Sequence, residues 1–316
     1  MCKQYIFGPV ASRRLGVSLG VDLIRCRNCS LDCVYCEAGK TEDVTAVRQV
    51  YADIEEVKKQ LNDFLKDSPQ LDYITFSGIG EPTLHLQLTE FCCWLKTTYP
   101  QYKIALLTNG TLLNDPNVRS ALKYVDLCMP NFDASNDEEL QIINRPAAGI
   151  TVETLADGIR KACSEYPGKL ILELFVAPGV NDSDRSIANF VDYIKTFHGL
   201  KSVQLNTLDR PGVVDWIKPA DRATLDRFIA ALKDYLPVET IGRYRRTIPE
   251  AGAVFQPDEL AEKILDLLGE KSLTAQELAD LLGCEVNTTV DHAEELLKAG
   301  LLYAEKVDRK VFYAIV

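Results

Sequence analysis

The sequence predicts an α/β fold: a partial (βα) barrel of the TIM type with a C-terminal winged-helix domain. Three observations predict it. Short apolar segments alternate with longer amphipathic segments up to about residue 240. Polar and glycine-containing segments follow the apolar ones, and the last part of the chain changes to a helical pattern that ends in two strand-like segments. Alternating βα units of this length are typical of a parallel sheet covered by helices.

The predicted strands are apolar at almost every position, as expected when helices cover a parallel sheet. They are Gly16–Leu23, Tyr73–Phe76, Lys103–Leu107, Val125–Met129, Leu170–Val176 and Ser202–Leu205. Between them, the spacing of Ile54, Val57 and Leu61 predicts a helix, and Asp53 is a suitable N-cap residue for it. Further helices are predicted over Leu86–Tyr99, Pro116–Lys123, Val152–Tyr166, Ser183–His198 and Ala220–Tyr235.

We predict three parts along the chain: a barrel at residues 1–246, a linker at 247–256, and a winged-helix domain at 257–316. The C-terminal part reads as three helices followed by a hairpin around residues 307–309. Winged helices often place their third helix in the DNA major groove. Here that helix carries Glu285, Asp291, Glu294 and Glu295, whose charges repel phosphate groups. We therefore expect no DNA binding, and predict a protein-docking or dimerisation module.

Composition excludes several classes of protein. The net charge of −11 argues against broad nucleic-acid binding, which needs a basic face. The first ten residues lack the apolar core of a signal peptide. The most apolar segment, Leu170 to Val180, is too short to span a bilayer and contains Glu173. We expect a cytoplasmic protein with no membrane association, in which ten cysteines indicate metal or redox chemistry rather than disulfides.

Four of those cysteines lie between Cys26 and Cys36. The spacing Cys29-x3-Cys33-x2-Cys36 lets three thiolates surround one face of an iron–sulfur cluster, because soft thiolates favour such clusters and zinc. Zinc would need a fourth ligand, and Cys26 could supply it. Structural zinc sites usually place two CxxC pairs further apart. The spacing favours a cluster and leaves zinc open.

Polar residues follow several predicted strands, where the carboxyl ends of parallel strands place catalytic groups. Glu173 instead lies within a strand that is expected to be buried. A carboxylate there is costly unless it is paired or faces a polar cavity, so it either contacts a ligand or forms an ion pair. The candidate residues at the strand ends are Gly78, Gly80, Glu81, Asn109, Asn131, Asp133 and Ser135.

Taken together, these segments resemble the radical S-adenosylmethionine (SAM) superfamily over roughly residues 8–240. Its hallmark is similar to Cys29-x3-Cys33-x2-Cys36 with Tyr35 before the last cysteine. Residues 78–82, Gly-Ile-Gly-Glu-Pro, resemble the segment that binds the methionine amino group of SAM, although consecutive glycines are absent. Residues 8–16, 107–110 and 144–146 resemble iron–sulfur oxidoreductases related to tRNA wyosine-forming enzymes.

The resemblance implies a mechanism and its cofactors. Cys29, Cys33 and Cys36 would ligate three irons of a 4Fe–4S cluster, and SAM would chelate the fourth. One electron from a donor such as flavodoxin or ferredoxin then cleaves SAM to methionine and a 5′-deoxyadenosyl radical, which abstracts a hydrogen atom from the substrate. Tyr35 would lie near adenine. Strand-end placement makes Asn109, Asn131, Asp133, Ser135 and Glu173 candidates for the ribose and carboxylate of SAM. For residues 131–135 a turn or helix cap is the competing interpretation.

Cys26 is interpreted as a spare thiol, and the scattered cysteines as buried and inert. Three functions compete: a radical SAM enzyme acting on a small molecule, nucleoside or tRNA; one acting on a peptide; and an iron–sulfur sensor whose winged helix contacts DNA or a protein. The SAM-binding segments and the acidic third helix both argue against the sensor.

Overall fold

The computed structural model describes residues 4–12, 14–209, 212–242, 244–248, 255–269, 271–307 and 310–316. Its strands are β1 (Ile6–Ser12), β2 (Gly16–Val21), β3 (Asn28–Cys29), β4 (Asp43–Val44), β5 (Tyr73–Phe76), β6 (Lys103–Thr108), β7 (Leu127–Pro130), β8 (Leu170–Phe175), β9 (Leu200–Asn206), β10 (Val238–Thr240), β11 (Tyr244–Ile248), β12 (Leu273–Thr274), β13 (Leu302–Val307) and β14 (Lys310–Ile315). Its α-helices are α1 (Ile54–Leu65), α2 (Leu88–Thr98), α3 (Pro116–Arg119), α4 (Asp137–Ile143), α5 (Val152–Glu165), α6 (Asp184–Lys195), α7 (Arg222–Leu232), α8 (Glu259–Leu268), α9 (Ala275–Leu282) and α10 (Val286–Lys298).

A large, mostly parallel sheet organises the chain. The strands β2, β5, β6, β7, β8, β9 and β10 lie side by side and run parallel in that order. Strand β1 pairs antiparallel with β2 at one edge, and β11 pairs antiparallel with β10 at the other. The prediction of an α/β fold with a parallel sheet is confirmed. The six predicted strands occur within a few residues of their expected bounds.

The two faces of this sheet differ in chemistry. On the outer face, Leu19, Ile74, Leu106, Leu172 and Val203 belong to one large core with the apolar sides of the helices. Side chains alternate across a strand, so the residues between these face the other side. That inner face holds a small apolar cluster of Leu15, Ala105, Leu127, Met129 and Ile171. It also holds buried polar side chains, among them Ser18, Thr75, Glu173, Ser202 and Gln204. The expectation of strands apolar on both faces is therefore wrong for the inner face.

Helix boundaries follow local sequence signals. Asp53 caps α1 by accepting the N–H of Glu55, as its position in the sequence predicted. Thr274 and Glu277 form a reciprocal capping box at the start of α9. Gly283 ends α9 with φ of 66°, a conformation that glycine adopts without a steric penalty. Within the described segments, no helix combines the length and apolar character that a membrane crossing needs.

The C-terminal residues form three helices and a small antiparallel sheet around a second core. Strands β13 and β14 form the predicted hairpin, and β12 pairs with β14. Ile264, Leu278, Leu296, Leu302 and Tyr313 meet in the core of this part. Residues 308 and 309, at the predicted hairpin turn, lie outside the described residues.

Strand β11 connects the two parts of the molecule. It pairs with β10 on one side and with β13 on the other, opposing Arg245 to Ala304. Arg245 also donates both terminal nitrogens to Glu294 of α10, each at 2.7 Å. Thr247 and Ile248, assigned to the linker from sequence, belong to this strand. Residues 249–254 of the predicted linker lie outside the described residues.

The pKa values of two histidines are shifted in opposite directions. Burial lowers the pKa of His85, whereas the carbonyl of Thr288 and the carboxylate of Asp258 raise the pKa of His292. A raised folded pKa means that the His292 contacts stabilise the fold below the unfolded value of 6.5, and that this contribution is lost as pH rises through the folded pKa. Imidazole NMR titration should place His292 above 6.5 and His85 below it. Asp258→Asn, which can still cap α8, should return His292 towards 6.5; no movement would contradict the assignment.

Candidate active site

The four clustered cysteines lie on a loop that leaves the carboxyl end of β2. Asp22, which follows β2 and is only 3% exposed, shapes the start of this loop. Its Oδ1 accepts the N–H groups of Ile24 and Arg25 at 3.1 and 3.0 Å, and its Oδ2 accepts the N–H of Ile79 at 3.2 Å. One buried carboxylate therefore fixes the cysteine loop against the glycine-containing loop after β5.

Cys29, Cys33 and Cys36 are half-buried and unpaired by disulfides. Two of the sulfurs accept side-chain amide bonds: Asn109 donates to Cys29 and Asn144 donates to Cys33, both at 3.3 Å. Burial raises the pKa of Cys29 to about 12, with Glu81 adding to the shift. Burial also raises the pKa values of Cys33 and Cys36. Without a bound cation these groups are thiols, and a metal must supply the charge that holds them as thiolates.

The three cysteines and the amides that donate to them are suitable ligands and neighbours for an iron–sulfur cluster. The described residues include no group of three or more His, Cys, Asp or Glu side chains placed around one metal ion. A cubane binds its cysteines through different irons, so three thiolates need not converge on one point. The amide donors to Cys29 and Cys33 are the kind of hydrogen bond that tunes cluster sulfurs. Cys26 lies on the same loop, where its thiol donates to the carbonyl of Ile24 at 3.1 Å.

The loop after β5 approaches the cysteine loop closely. A Cβ on Gly80 would lie 2.6 Å from the carbonyl oxygen of Asn28 and 2.7 Å from that of Cys26. A Cβ on Gly78 would lie 2.1 Å from the Asp22 carboxylate carbon. Only glycine fits at these two positions without moving the loop. The two loops therefore pack backbone to backbone next to Cys29.

Glu81 joins the strand ends instead of pointing into open space. It is 3% exposed, and its carboxylate accepts from the hydroxyls of Thr83 and Thr108 at 2.6 Å and from the N–H of Asn109 at 2.8 Å. Burial raises the pKa of Glu81, and these donors act in the opposite direction. The side chain thus fixes the end of β6, which carries Asn109, against the loop after β5.

Tyr35, Asn131 and Asp133 form one hydrogen-bonded group. The Tyr35 hydroxyl donates to Asp133, and Asn131 donates to Tyr35 at 3.4 Å. Asp133 also accepts from the N–H of Phe175 and from Asn144, both at 2.9 Å. The ring of Tyr35 stacks on Phe175 with 3.9 Å between centroids. This group therefore connects the cysteine loop to the ends of β7 and β8.

The remaining two predicted site residues have different environments. Ser135 is 3% exposed, and its N–H donates to Glu139 at 2.7 Å, which places it against α4. Glu173 lies on the inner face beside Asn131, with which β8 forms a bridge. It pairs with Arg14 and accepts from Asn206 at 2.9 Å. The ion pair that the sequence left open as the alternative to a ligand contact at Glu173 is thus present.

Sequence reasoning missed several residues that build this site. Asp22 and Asn144 hold the cysteine loop, and Arg14 pairs with Glu173. An aspartate near the end of the predicted strand Gly16–Leu23, a few residues before the cysteine motif, was a usable signal for Asp22. The contact of Asn144 with Cys33 spans 111 residues, so the local sequence could not predict it.

The chain is similar to known proteins in sequence and in fold. The model of the radical SAM superfamily matches residues 23–191. A UPF0026 protein of Methanocaldococcus jannaschii is 28% identical over 312 residues, covering 97% of this chain and 94% of the relative. A UPF0026 protein of Synechocystis is 36% identical over 209 residues, covering 65% of this chain and 76% of the relative. A radical SAM methyltransferase structure from Sphaerobacter thermophilus superposes with a TM-score of 0.52 at 19% identity, covering 72% of this chain and 66% of that one.

Proposed function

Because the chain belongs to the radical SAM superfamily, we propose that it holds a 4Fe–4S cluster through Cys29, Cys33 and Cys36 and starts hydrogen abstraction from an organic substrate. An iron–sulfur cluster and SAM are its cofactors. The observation that carries the proposal is the cysteine loop: three half-buried sulfurs beside the carboxyl ends of parallel strands, two of them accepting amide bonds. We further propose that residues 1–246 form a partial (βα) barrel around the inner face.

Bound at this loop, the cluster supplies one electron for cleavage of a carbon–sulfur bond in SAM. The chain's own residues position the cofactors. The close-packed backbone of Gly78, Ile79 and Gly80 is suited to approach the methionine end of SAM, with Glu81 holding that loop in place. The stacked ring of Tyr35 offers an apolar surface for adenine.

Of the other predicted residues, some are proposed to contact SAM directly and others to hold the residues that do. Asn109 and Asn131 carry amides at the ends of adjacent strands, and we propose that they contact ribose hydroxyls or the SAM carboxylate. Asp133 positions Tyr35 through its hydrogen bond. Glu173 borders the same site from the inner face, and Ser135 contributes by fixing the loop after β7 to α4.

The test is anaerobic reconstitution with iron and sulfide, followed by SAM and dithionite and an assay for 5′-deoxyadenosine. We expect about four irons per chain and formation of 5′-deoxyadenosine, since the loop offers three ligands for one cubane. Zinc in place of iron, or a cluster that never cleaves SAM, would contradict the proposal. In the cell, flavodoxin or ferredoxin is the proposed electron donor.

We propose that the C-terminal residues 257–316 form a winged-helix domain that docks a protein. Support comes from the order of elements, three helices and then the β13–β14 hairpin, and from the charge of α10. On α10, Asp291 and Glu295 are exposed, which disfavours contact with DNA phosphates. Residues 249–256 are the proposed linker.

The substrate is proposed from resemblance. The segments at residues 8–16, 107–110 and 144–146 place the chain near the oxidoreductases related to tRNA wyosine-forming enzymes. A nucleoside or tRNA, a peptide and a small molecule are therefore the candidate substrates. Turnover of SAM in the presence of each class separates them.

The amides on the cysteine sulfurs should set the reduction potential of the cluster. An N–H bond to a ligand sulfur stabilises the more negative reduced state, so Asn109→Ala and Asn144→Ala should each lower the potential. A hydrogen bond worth about 1 kcal/mol corresponds to about 40 mV for one electron. An EPR-monitored redox titration measures the shift, with Asn287→Ala on the exposed side of α10 as control. A potential that rises or stays constant would contradict the role of these amides.

A further inference from the structure

The end of helix α4 lies along the cysteine loop and joins it through backbone hydrogen bonds. The N–H of Val34 donates to the carbonyl of Ile143 at 2.9 Å, and the N–H of Asp32 donates to the carbonyl of Asn144 at 2.8 Å. Asn144, which follows the last residue of α4, is only 2% exposed. Its backbone is thus fixed beside the cysteines, and its side chain is enclosed there.

The side-chain amide of Asn144 can take only one orientation. Its Nδ2 donates to Cys33 at 3.3 Å and to Oδ2 of Asp133 at 2.9 Å. Asp133 also receives the N–H of Phe175, and a cysteine sulfur that ligates a cluster carries no proton, so the nitrogen must face both of these acceptors. The other end, Oδ1, is buried and has no hydrogen-bond partner among the described residues. A buried acceptor without a donor is costly, so this oxygen indicates a missing ligand group.

This unpartnered oxygen lies next to both proposed cofactor sites. Oδ2 of Asp133 accepts the Tyr35 hydroxyl as well as the Asn144 amide. Two donors on one oxygen are close neighbours, so the amide lies at the hydroxyl end of the Tyr35 ring, which is the proposed adenine surface. The second bond of the amide is to Cys33, a proposed cluster ligand. A ligand that bridges the two sites therefore passes near Oδ1 of Asn144.

The chemistry of SAM leaves one donor without an assigned acceptor. Its donors are the methionine amino group, the ribose hydroxyls and the exocyclic amino group of adenine. In the proposed site the methionine amino group binds iron beside the loop after β5, and the ribose faces the amides of Asn109 and Asn131. The adenine amino group is the remaining donor. It lies on the part of SAM that Tyr35 is proposed to hold, and its N–H suits an oxygen that can only accept.

We infer that Oδ1 of Asn144 accepts a hydrogen bond from the exocyclic amino group of the SAM adenine, and that Asn144 selects adenine over a base with a carbonyl oxygen at that position. This inference rests on the proposed function, because it needs SAM at the cysteine loop. A carbonyl base sets one acceptor against another and leaves both without a donor. Asn144 thus contacts both cofactors, with its nitrogen on a cluster ligand and its oxygen on SAM.

The test compares the binding of SAM and S-inosylmethionine, in which a carbonyl oxygen replaces the adenine amino group. Equilibrium dialysis is done on the reconstituted holoprotein without reductant, so that SAM stays intact. We expect SAM to bind at least about tenfold more tightly, and Asn144→Ala to reduce this preference to about twofold. The 2′-deoxy and 3′-deoxy analogues of SAM should lose the same factor in affinity in both proteins, because Asn144 does not contact the ribose.

Asn109→Ala is the matched control, because it removes the corresponding amide bond from Cys29. It should keep the tenfold preference for SAM over the inosine analogue, even where binding of both is weaker. Equal binding of the two ligands to the unaltered protein would overturn the inference, and that comparison needs no variant. A preference that survives in Asn144→Ala with iron content unchanged would overturn it as well, and so would a deoxy effect that disappears in this variant.

Formation of 5′-deoxyadenosine by the unaltered protein is measured on the same preparation. Its absence defeats the proposed function. Intact SAM cleavage without a preference for adenine defeats only the role of Asn144.

Discussion

Replacement of Cys29, Cys33 or Cys36 with Ala should abolish cluster binding and lower 5′-deoxyadenosine formation by more than about a hundredfold. Each cysteine is proposed to hold a different iron, so the loss of one leaves the cubane with two protein ligands. Burial raises the pKa values of these thiols, so a bound metal is needed to hold them as thiolates. Iron content and the visible absorption of the reconstituted protein report cluster binding.

Cys26→Ala is the matched control on the same loop. Its thiol donates to the carbonyl of Ile24, and the N–H groups of Ile24 and Arg25 donate to Asp22, which holds the same turn independently of the thiol. We therefore expect Cys26→Ala to retain the cluster and SAM cleavage. Loss of the cluster in this variant would make Cys26 a ligand and defeat its interpretation as a spare thiol. Iron clearly above four per chain would show a second cluster.

The parallel sheet was predictable because its strands carry a strong local signal. Apolar segments such as Tyr73–Phe76 and Leu170–Phe175 are short, rich in large side chains and bounded by polar residues. By contrast, β10 spans only Val238–Thr240 and α4 spans seven residues with a single capping signal at Asn136. Elements this short carry too few residues for periodicity to identify them, and their positions depend on neighbouring strands and helices.

The chemistry of the inner face was harder to predict, because strand period alone does not say which face is solvated or polar. Glu173 could be identified from the sequence because it is a carboxylate within an apolar segment. Gln204 and Ser202 lie in a strand with equally buried apolar neighbours. Only the strand register shows that Gln204 lies level with Glu173 and Glu239. Register between strands is a tertiary property, set by contacts that are distant in sequence.

The cysteine motif and the strand-end residues were predictable from spacing, but the contacts that hold them were not. Asn109 and Asn144 reach cysteines that are 80 and 111 residues away in the chain. Glu81 was expected to contact SAM directly, whereas its carboxylate is occupied by Thr83, Thr108 and Asn109. Glu81 therefore positions two loops, in addition to belonging to the segment that resembles a cofactor-binding motif.

Gly80→Ala should displace the cysteine loop and strongly weaken both cluster retention and SAM binding. The added Cβ would meet the carbonyl oxygens of Asn28 and Cys26 at 2.6 and 2.7 Å. Both atoms belong to the backbone of the cysteine loop, so no side-chain rotation relieves the contact. Overpacking of this kind costs about 1–3 kcal/mol in stability. We expect SAM affinity of the reconstituted protein to fall at least about tenfold, as measured by equilibrium dialysis.

Gly269→Ala separates this steric effect from the general cost of replacing glycine. Gly269 ends α8, and a Cβ there would meet its nearest atom, the Asp266 carbonyl oxygen, at 3.3 Å. This variant should keep the cluster and bind SAM as the unaltered protein does. Normal SAM affinity in Gly80→Ala would mean that the loop after β5 moves freely relative to Cys29. The proposed backbone contact with the methionine end of SAM would then have to be made by another part of the chain.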